Sequence, residues 1–318
     1  MIRIFPFLPL LILSIVIALS LATIHHIPHS EFVDLVNRAQ DEWVADATFA
    51  ADRTYADMKH LWMDSAFFDA EVAAADQSIE LLGAVEALPA EQLGDSLDWR
   101  ELEPHCLDYV LNQGQCGSCW AFGSSTALSD RFCIKTGKKS LLSPQDLVAC
   151  DFAGQLGCHG GYPKRAYEYL EFFGSPSLAC FPYTSGVTKV AGHCHHYCAD
   201  GTAHPHRYYA QKFKSRSYKG VDAIKTALQD GPVTGVMHVY ADFPHYKSGI
   251  YHHAAGKKLG GHAVAIVGYG VDRESSTPFW IVRNSWGKEW GESGYFRIRM
   301  GFNECGIESA ASAGFPAV

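Results

Sequence analysis

At 318 residues, with 47% hydrophobic and 19% charged side chains, the chain exceeds one average domain and has enough apolar residues to bury a sizeable core. The formal net charge of −8 comes from one stretch: residues 23–94 hold fourteen Asp and Glu against three Lys and Arg, whereas residues 95–318 hold twenty against twenty-two. The near-neutral main part has no basic stripe for nucleic acid, and neither an internal repeat nor a low-complexity run is present.

The chain opens with Arg3, an apolar run from Ile4 to Ala18 and the small residues of Ser20-Leu21-Ala22. This is the pattern of a secretory signal peptide over residues 1–22. A membrane anchor is the alternative, because the apolar run approaches spanning length, but Pro6, Pro9 and the cleavage pattern favour removal. No later run is long enough to span, so no membrane span is expected in the mature form.

In residues 23–94, Phe32, Leu35, Val36, Ala39 and Trp43 recur at helical spacing behind Ser30, a candidate N-cap. Tyr55, Met58, Leu61 and Trp62 suggest a second helix. An acidic helical segment of this kind could be a solvated linker or a separate interaction module; its aromatic stripes favour a prosegment docked on the domain C-terminal to it. Asp95-Ser96-Leu97-Asp98-Trp99-Arg100 then falls near the start of a mature protein.

Gln113 to Phe122 reads Gln-Gly-Gln-Cys-Gly-Ser-Cys-Trp-Ala-Phe, and a helix is expected from Ala121 to about Phe132. Cys119 therefore stands at a tight turn opening a helix, where the macrodipole favours thiolate and lowers the thiol pKa. The Cys116-x-x-Cys119 spacing also fits half a zinc site or a redox pair, although no further close ligands or βαβ context are evident. Ser143-Pro144-Gln145-Asp146 supplies an N-cap and a proline at the first helical position, and Lys164–Phe172 reads as another helix. Beyond residue 230, Val233–Tyr240, Ala263–Gly268, Phe279–Arg283 and Tyr295–Ile298 are short β-rich runs between glycine turns. Helices precede strands, which indicates an α+β fold with a site at the junction. Gly268-Tyr269-Gly270 fails as a dinucleotide fingerprint because Arg273 occupies the third glycine position.

A cysteine nucleophile needs a base, and the base needs an orienting group. Gly260-Gly261-His262 heads one apolar run, and Asn284-Ser285-Trp286-Gly287 comes after the next. Any one of the sixteen histidines is weak evidence alone; the order Cys119, His262, Asn284 is what raises these residues.

These stretches, with Cys158-His159-Gly160-Gly161-Tyr162-Pro163, Tyr240–Tyr251 and Cys305-Gly306-Ile307-Glu308-Ser309, resemble a papain-family cysteine protease of the cathepsin B-like kind over nearly the whole chain. His262 lies 143 residues after Cys119, within the roughly 130–150 of that family, and Asn284 lies further on, at 165. The resemblance implies a two-lobed papain-like fold, with a helical lobe over roughly 110–215, an antiparallel barrel-like lobe over roughly 216–300 and a cleft between them. It implies a peptidase domain at 95–318, behind a helical propeptide at 23–94 that acts as an intramolecular inhibitor. Cys119 would be the nucleophile, His262 the base, Asn284 its orienting partner shielded by Trp286, and Gln113 the oxyanion-hole donor. Gly117, Gly160, Gly161, Tyr162, Pro163, Val236, Ala263, Trp286 and Ala310 would contact substrate.

The same resemblance implies bridges Cys106–Cys133, Cys116–Cys158, Cys150–Cys194 and Cys180–Cys198, and leaves Cys305 a free thiol. The cluster His193-Cys194-His195-His196-Tyr197-Cys198 looks metal-like, but both of its cysteines go to bridges, so no metal and no cofactor are expected. Two departures from cathepsin B matter. Only thirteen residues separate Cys180 from Cys194, so the occluding loop is essentially absent and endopeptidase activity is expected. Ala310 stands where a glutamate would select arginine, so the pocket for the second residue upstream of the scissile bond should prefer an apolar side chain.

The expected partners are polypeptide substrates, the propeptide and cystatin-type inhibitors, acting on a monomer. Its expected location is the secretory pathway, ending in a lysosome-like or vacuolar compartment or outside the cell. A catalytically silent binding protein and an acyl transferase of the same fold are the alternatives. The acidic propeptide also suggests docking that weakens as pH falls toward the carboxylate range near 4.

Overall fold

One of the two 18-residue helices of the α+β fold, α3 (Cys119–Thr136), is buried on almost every face from Cys119 to Cys133. Such a helix needs its polar side chains satisfied internally, and its sequence does this locally. Ser124 Oγ donates to Trp120 O at 2.9 Å, Thr126 Oγ1 to Phe122 O at 2.7 Å and Ser129 Oγ to Ser125 O at 2.6 Å. Gly137, left-handed at φ 69°, ends the helix with its N–H on Cys133 O at 2.7 Å. These features come from a computed structural model that describes residues 27–203 and 205–318. The expected signal peptide, residues 1–22, lies outside them.

Two shorter helices pack with α3. In α4 (Pro144–Cys150) the Ser143 side chain accepts from the Asp146 N–H at 3.1 Å and Pro144 takes the first position, as the sequence implies. The other is α5 (Pro163–Phe172). Strands β3 (Arg216–Tyr218), β4 (Val233–Tyr240), β5 (Tyr246–Tyr251), β6 (Lys258–Val271), β7 (Pro278–Arg283), β8 (Tyr295–Arg299) and β9 (Ala311–Ala313) form the sheet. Two strands from earlier in the chain join them, β1 (Trp43–Ala45) and β2 (Leu97–Asp98). The order is β1-β5-β8-β7-β6-β4-β9-β3, with β2 on β6, and all pairs are antiparallel except β5–β8. Strand β6 runs at the centre, buried almost throughout, and α3 packs against it.

The N-terminal segment departs from its sequence reading in three ways. Helix α1 (His29–Ala39) starts after Pro28, so Ser30 lies inside it and caps nothing. Trp43 is not helical but opens β1, because the Gln40 side chain brackets it, accepting from Trp43 N–H at 2.9 Å and donating to its carbonyl at 2.7 Å. Tyr55–Trp62 forms turns and a single 3₁₀ turn at Lys59–Leu61 instead of a helix. Its apolar residues recur because that face lies on the sheet core. The second α-helix is α2 (Ser65–Leu82), capped by Asp64, whose carboxylate accepts from Ala66 N–H at 2.9 Å.

Helix α3 is fixed to β7 by a buried ion pair, Arg283 Nη2 to Asp130 Oδ2 at 2.6 Å, with the Tyr109 hydroxyl donating to Asp130 Oδ1 at 2.7 Å. Removing one partner leaves an uncompensated buried charge, at a cost of about 3–5 kcal/mol. Arg283→Met should therefore lower stability in denaturant titrations by about that amount, and adding Asp130→Leu should recover much of the loss.

Candidate active site

Three elements converge at the head of α3. Cys119 is the first residue of the helix, and its sulfur receives the backbone N–H groups of Trp120 and of Ala263, the residue after His262 on β6. Asn284 comes directly after β7, whose pairing with β6 sets it beside His262. His262 Nε2 lies 2.8 Å from Asn284 Oδ1, an oxygen that also accepts from Ser285 N–H at 2.7 Å. An amide oxygen can only accept, so Nε2 carries the proton and the lone pair of the neutral ring resides on Nδ1. That Nδ1 is buried and has no hydrogen-bond partner. The Trp286 ring lies 5.0 Å from the His262 ring and covers it.

Gln113 is wholly buried, and its carboxamide is held by Ser285, whose hydroxyl donates to Gln113 Oε1 at 2.7 Å. This frees the Gln113 Nε2 group to donate to the Cys116 carbonyl at 3.0 Å and to the carbonyl of His60 at 3.2 Å. His60 belongs to the N-terminal segment, so that segment's backbone occupies the donor expected from the sequence to serve an oxyanion. Trp286 Nε1 likewise donates to Leu61 O at 3.3 Å.

The same segment fills the rest of the cleft. Met63 and Gly261 exchange backbone hydrogen bonds at 2.7 and 2.9 Å, as two antiparallel strands do. Gly161 N–H donates to Met63 sulfur at 3.5 Å, and the Phe67 ring stands 5.1 Å from that of Tyr162. Met63, Phe67 and Phe68 form one buried apolar cluster with Tyr162, Val236, Ala263 and Ala310, and Pro163 is buried at the head of α5. Gly160 has φ 123°, and a Cβ there would lie 2.6 Å from the Phe67 ring. Gly117 donates its N–H to Cys158 O at 2.8 Å, an approach that a Cβ would block at 2.5 Å.

Burial under this cover corrects one sequence expectation. The thiol pKa is not lowered: burial pushes Cys119 up to about 12, outweighing the backbone N–H groups that favour thiolate. Burial likewise holds His262 down at about 4, against the opposing pull of Asn284. Burial therefore works against the charged form of each group while the cover is in place.

The bridges are Cys106–Cys133, Cys116–Cys158, Cys150–Cys194 and Cys180–Cys198, and Cys119 and Cys305 are free and buried. Cys305 lies in the left-handed region at φ 51°. Among the described residues the only metal-like grouping is His105, Cys106 and Cys133, whose sulfurs are joined to each other. Two supporting residues escaped the sequence reading. Ser285 was hidden between Asn284 and Trp286, a position that could have flagged it. Tyr183, whose hydroxyl sits 2.7 Å from Ser118 Oγ and donates to Gln113 O at 2.8 Å, carried no signal of its own.

Comparison with known proteins identifies the family. Residues 93–315 match the family model described as papain family cysteine protease. Cathepsin B-like CP3 of Giardia intestinalis is 43% identical over 228 residues, 71% of this chain and 76% of that one. Cathepsin B-like cysteine proteinase 3 of Caenorhabditis elegans is 36% identical over 310 residues, 90% of this chain and 82% of that one. Among solved structures, proCathepsin B S9 from Trypanosoma congolense superposes with a TM-score of 0.79 at 30% identity, covering 92% of this chain and all of that one. A matched family model over most of the chain, cathepsin B-like relatives and a superposable proform together place this chain in the papain family of cysteine proteases.

Proposed function

We propose that this chain is the precursor of a secreted or lysosome-type cysteine endopeptidase, with a signal peptide at 1–22, an inhibitory propeptide at 23–94 and the enzyme at 95–318. The observation that carries the reading is the His262 ring, fixed by Asn284 through Nε2 and with an unpartnered Nδ1, on the residue before Ala263, whose backbone N–H reaches the helix-head thiol of Cys119. When the cover leaves, water returns to the cleft and both desolvation penalties shrink. The proton then moves from Cys119 sulfur to His262 Nδ1, and the α3 macrodipole favours the resulting thiolate. The thiolate attacks the scissile carbonyl, and Gln113 Nε2, with the Cys119 N–H, receives the oxyanion. The imidazolium then protonates the leaving amine, and water, deprotonated by His262, hydrolyses the thioester.

Without a long loop between Cys180 and Cys194, nothing is expected to restrict the cleft to substrate C-termini. The apolar cluster around Ala310, filled here by the segment's own Met63 and Phe67, favours apolar residues at the second position upstream of the scissile bond.

The processed protein should hydrolyse peptide amides at internal bonds, with a leucine or valine substrate cut faster than its arginine counterpart. Cys119→Ala should abolish turnover, and Gln113→Ala should reduce kcat about a hundred- to a thousandfold. Exclusive release of C-terminal dipeptides would remove the endopeptidase reading, and acyl transfer or binding without hydrolysis would remove the protease reading.

The interface also bears on pH. His245 Nε2 lies 3.1 Å from His29 Nδ1 and 3.5 Å from the Tyr55 hydroxyl, with Asp46 and Asp242 also acting on it. Burial, with His29 second, lowers its pKa to about 4. A released domain whose His245 titrates near its ordinary value of about 6.5 binds a proton that the docked form refuses, so docking weakens as pH falls from there toward 4. Glu42, lowered by its bonds to Arg299, acts in the same direction through the lower carboxylate range. Glu71 opposes both, since burial raises it to about 7 and docking then takes up a proton. In a Cys119→Ser full chain, tryptophan emission should report release as Trp43 and Trp62 reach water on acidification. His245→Gln should move that midpoint to lower pH, whereas Glu71→Gln should slow release at neutral pH and spare the acid limb.

A further inference from the structure

The first turn of α5 holds a ligand in this structure, and that ligand is a carboxyl group. Helix α5 has ten residues, and its Lys164 N–H donates at 2.8 Å to Oε1 of Glu71, which comes from α2 of the N-terminal segment. The Glu71 side chain is 4% exposed, and its Oε2 is buried at the same place without a partner. The Lys164 and Arg165 charges both act on this carboxyl group. Lys164 is paired with Glu168 at 2.6 Å, and the Arg165 guanidinium, whose charge also acts on Asp151, lies 4.6 Å over the Tyr162 ring. Beside this contact is a cavity of about 410 Å³, bounded on the domain side by Tyr162, Lys164, Arg165 and Glu168 and on the other by α2.

The position is set by helix geometry. Phe67 packs on Tyr162, the wall of the apolar pocket, and Glu71 lies one turn further along α2. One turn advances about 6 Å for four residues, a length that an extended peptide covers in about two. On the domain side, Lys164 comes three residues after Gly161, which packs on Trp120 next to Cys119.

We propose that, once α2 has left, the head of α5 becomes an acidic-residue subsite of the cleft. It takes a glutamate or aspartate side chain three or four residues upstream of the scissile bond, on the Lys164 N–H and the Arg165 guanidinium. Glu71 is then a stand-in for substrate, holding in the precursor the place that a substrate carboxylate takes in the enzyme. This reading rests on the proteolytic function and on the departure of residues 23–94.

The test uses the processed protein and peptide pairs that differ only by Glu or Gln at the third or at the fourth upstream position. The expected result is a kcat/KM about three- to tenfold higher for the Glu peptide in one pair, the range for an anion at a helix N-terminus beside a cation. The preference should shrink as salt is raised and vanish as pH falls through the peptide carboxylate's own range near 4. Arg165→Gln, and separately Lys164→Ala/Arg165→Ala, should bring the Glu-to-Gln ratio toward one. Hydrolysis of both peptides with no preference for Glu in either pair overturns the subsite while leaving the protease reading intact. A preference that survives both variants assigns it elsewhere and also overturns the subsite. Hydrolysis of neither peptide overturns the protease reading, and this one with it.

Discussion

Everything at the site depends on a helix buried on nearly all sides whose first residue is the proposed nucleophile, Cys119. A helix interior to a protein can be central only if its hydroxyls and charges are satisfied, and α3 does this with returned bonds from Ser124, Thr126 and Ser129 and with the Asp130–Arg283 pair. That pair is also what relates the helix to the sheet. Arg283 is the last residue of β7 and Asn284 the next, so the interaction that anchors α3 also sets the residue that orients His262. Structure and chemistry share one fixture here, and neither lobe could shift much without disturbing the ring.

Latency in this arrangement is electrostatic as well as steric. Met63, Phe67 and the Leu61 backbone block the cleft as objects, but they also exclude the water that a thiolate and an imidazolium both need. A buried charge is expensive, and burial weighs against it at both groups. The cover thus disfavours the charged state of the site in addition to occupying it.

Much of this was legible in the sequence because it rests on local rules. The Ser143-Pro144 helix start, the bounds of β4 and the position of Cys119 at a helix head come from capping chemistry, β-branched alternation and glycine placement. The N-terminal segment was misread where local pattern and tertiary contact disagree. Trp43 continues a helical apolar stripe, yet it is drawn into β1 because its ring finds Tyr251 at 5.1 Å and its indole N–H finds His252 O at 3.0 Å. Tyr55–Trp62 shows apolar recurrence because it lies on a flat core, and periodicity cannot tell such a surface from a helix. The state of Cys119 was illegible for a different reason: a macrodipole can be read from a helix start, but a desolvation penalty depends on what covers it.

The pairing of β1 with β5 joins residues far apart in the chain, Trp43 opposite Gly249, and it places the cover's own strand at the outer edge of the sheet. Contacts of such long sequence separation come late, since the loop between them must close first. During synthesis the segment emerges early, but its strand β1 has nothing to pair with until Tyr246–Tyr251 has been made and seated beside β8. Latency is therefore assembled last, in step with the strands that complete the cleft. The proposed departure of the segment would leave the β5 edge with open hydrogen-bonding groups, a sticky margin that β1 covers here.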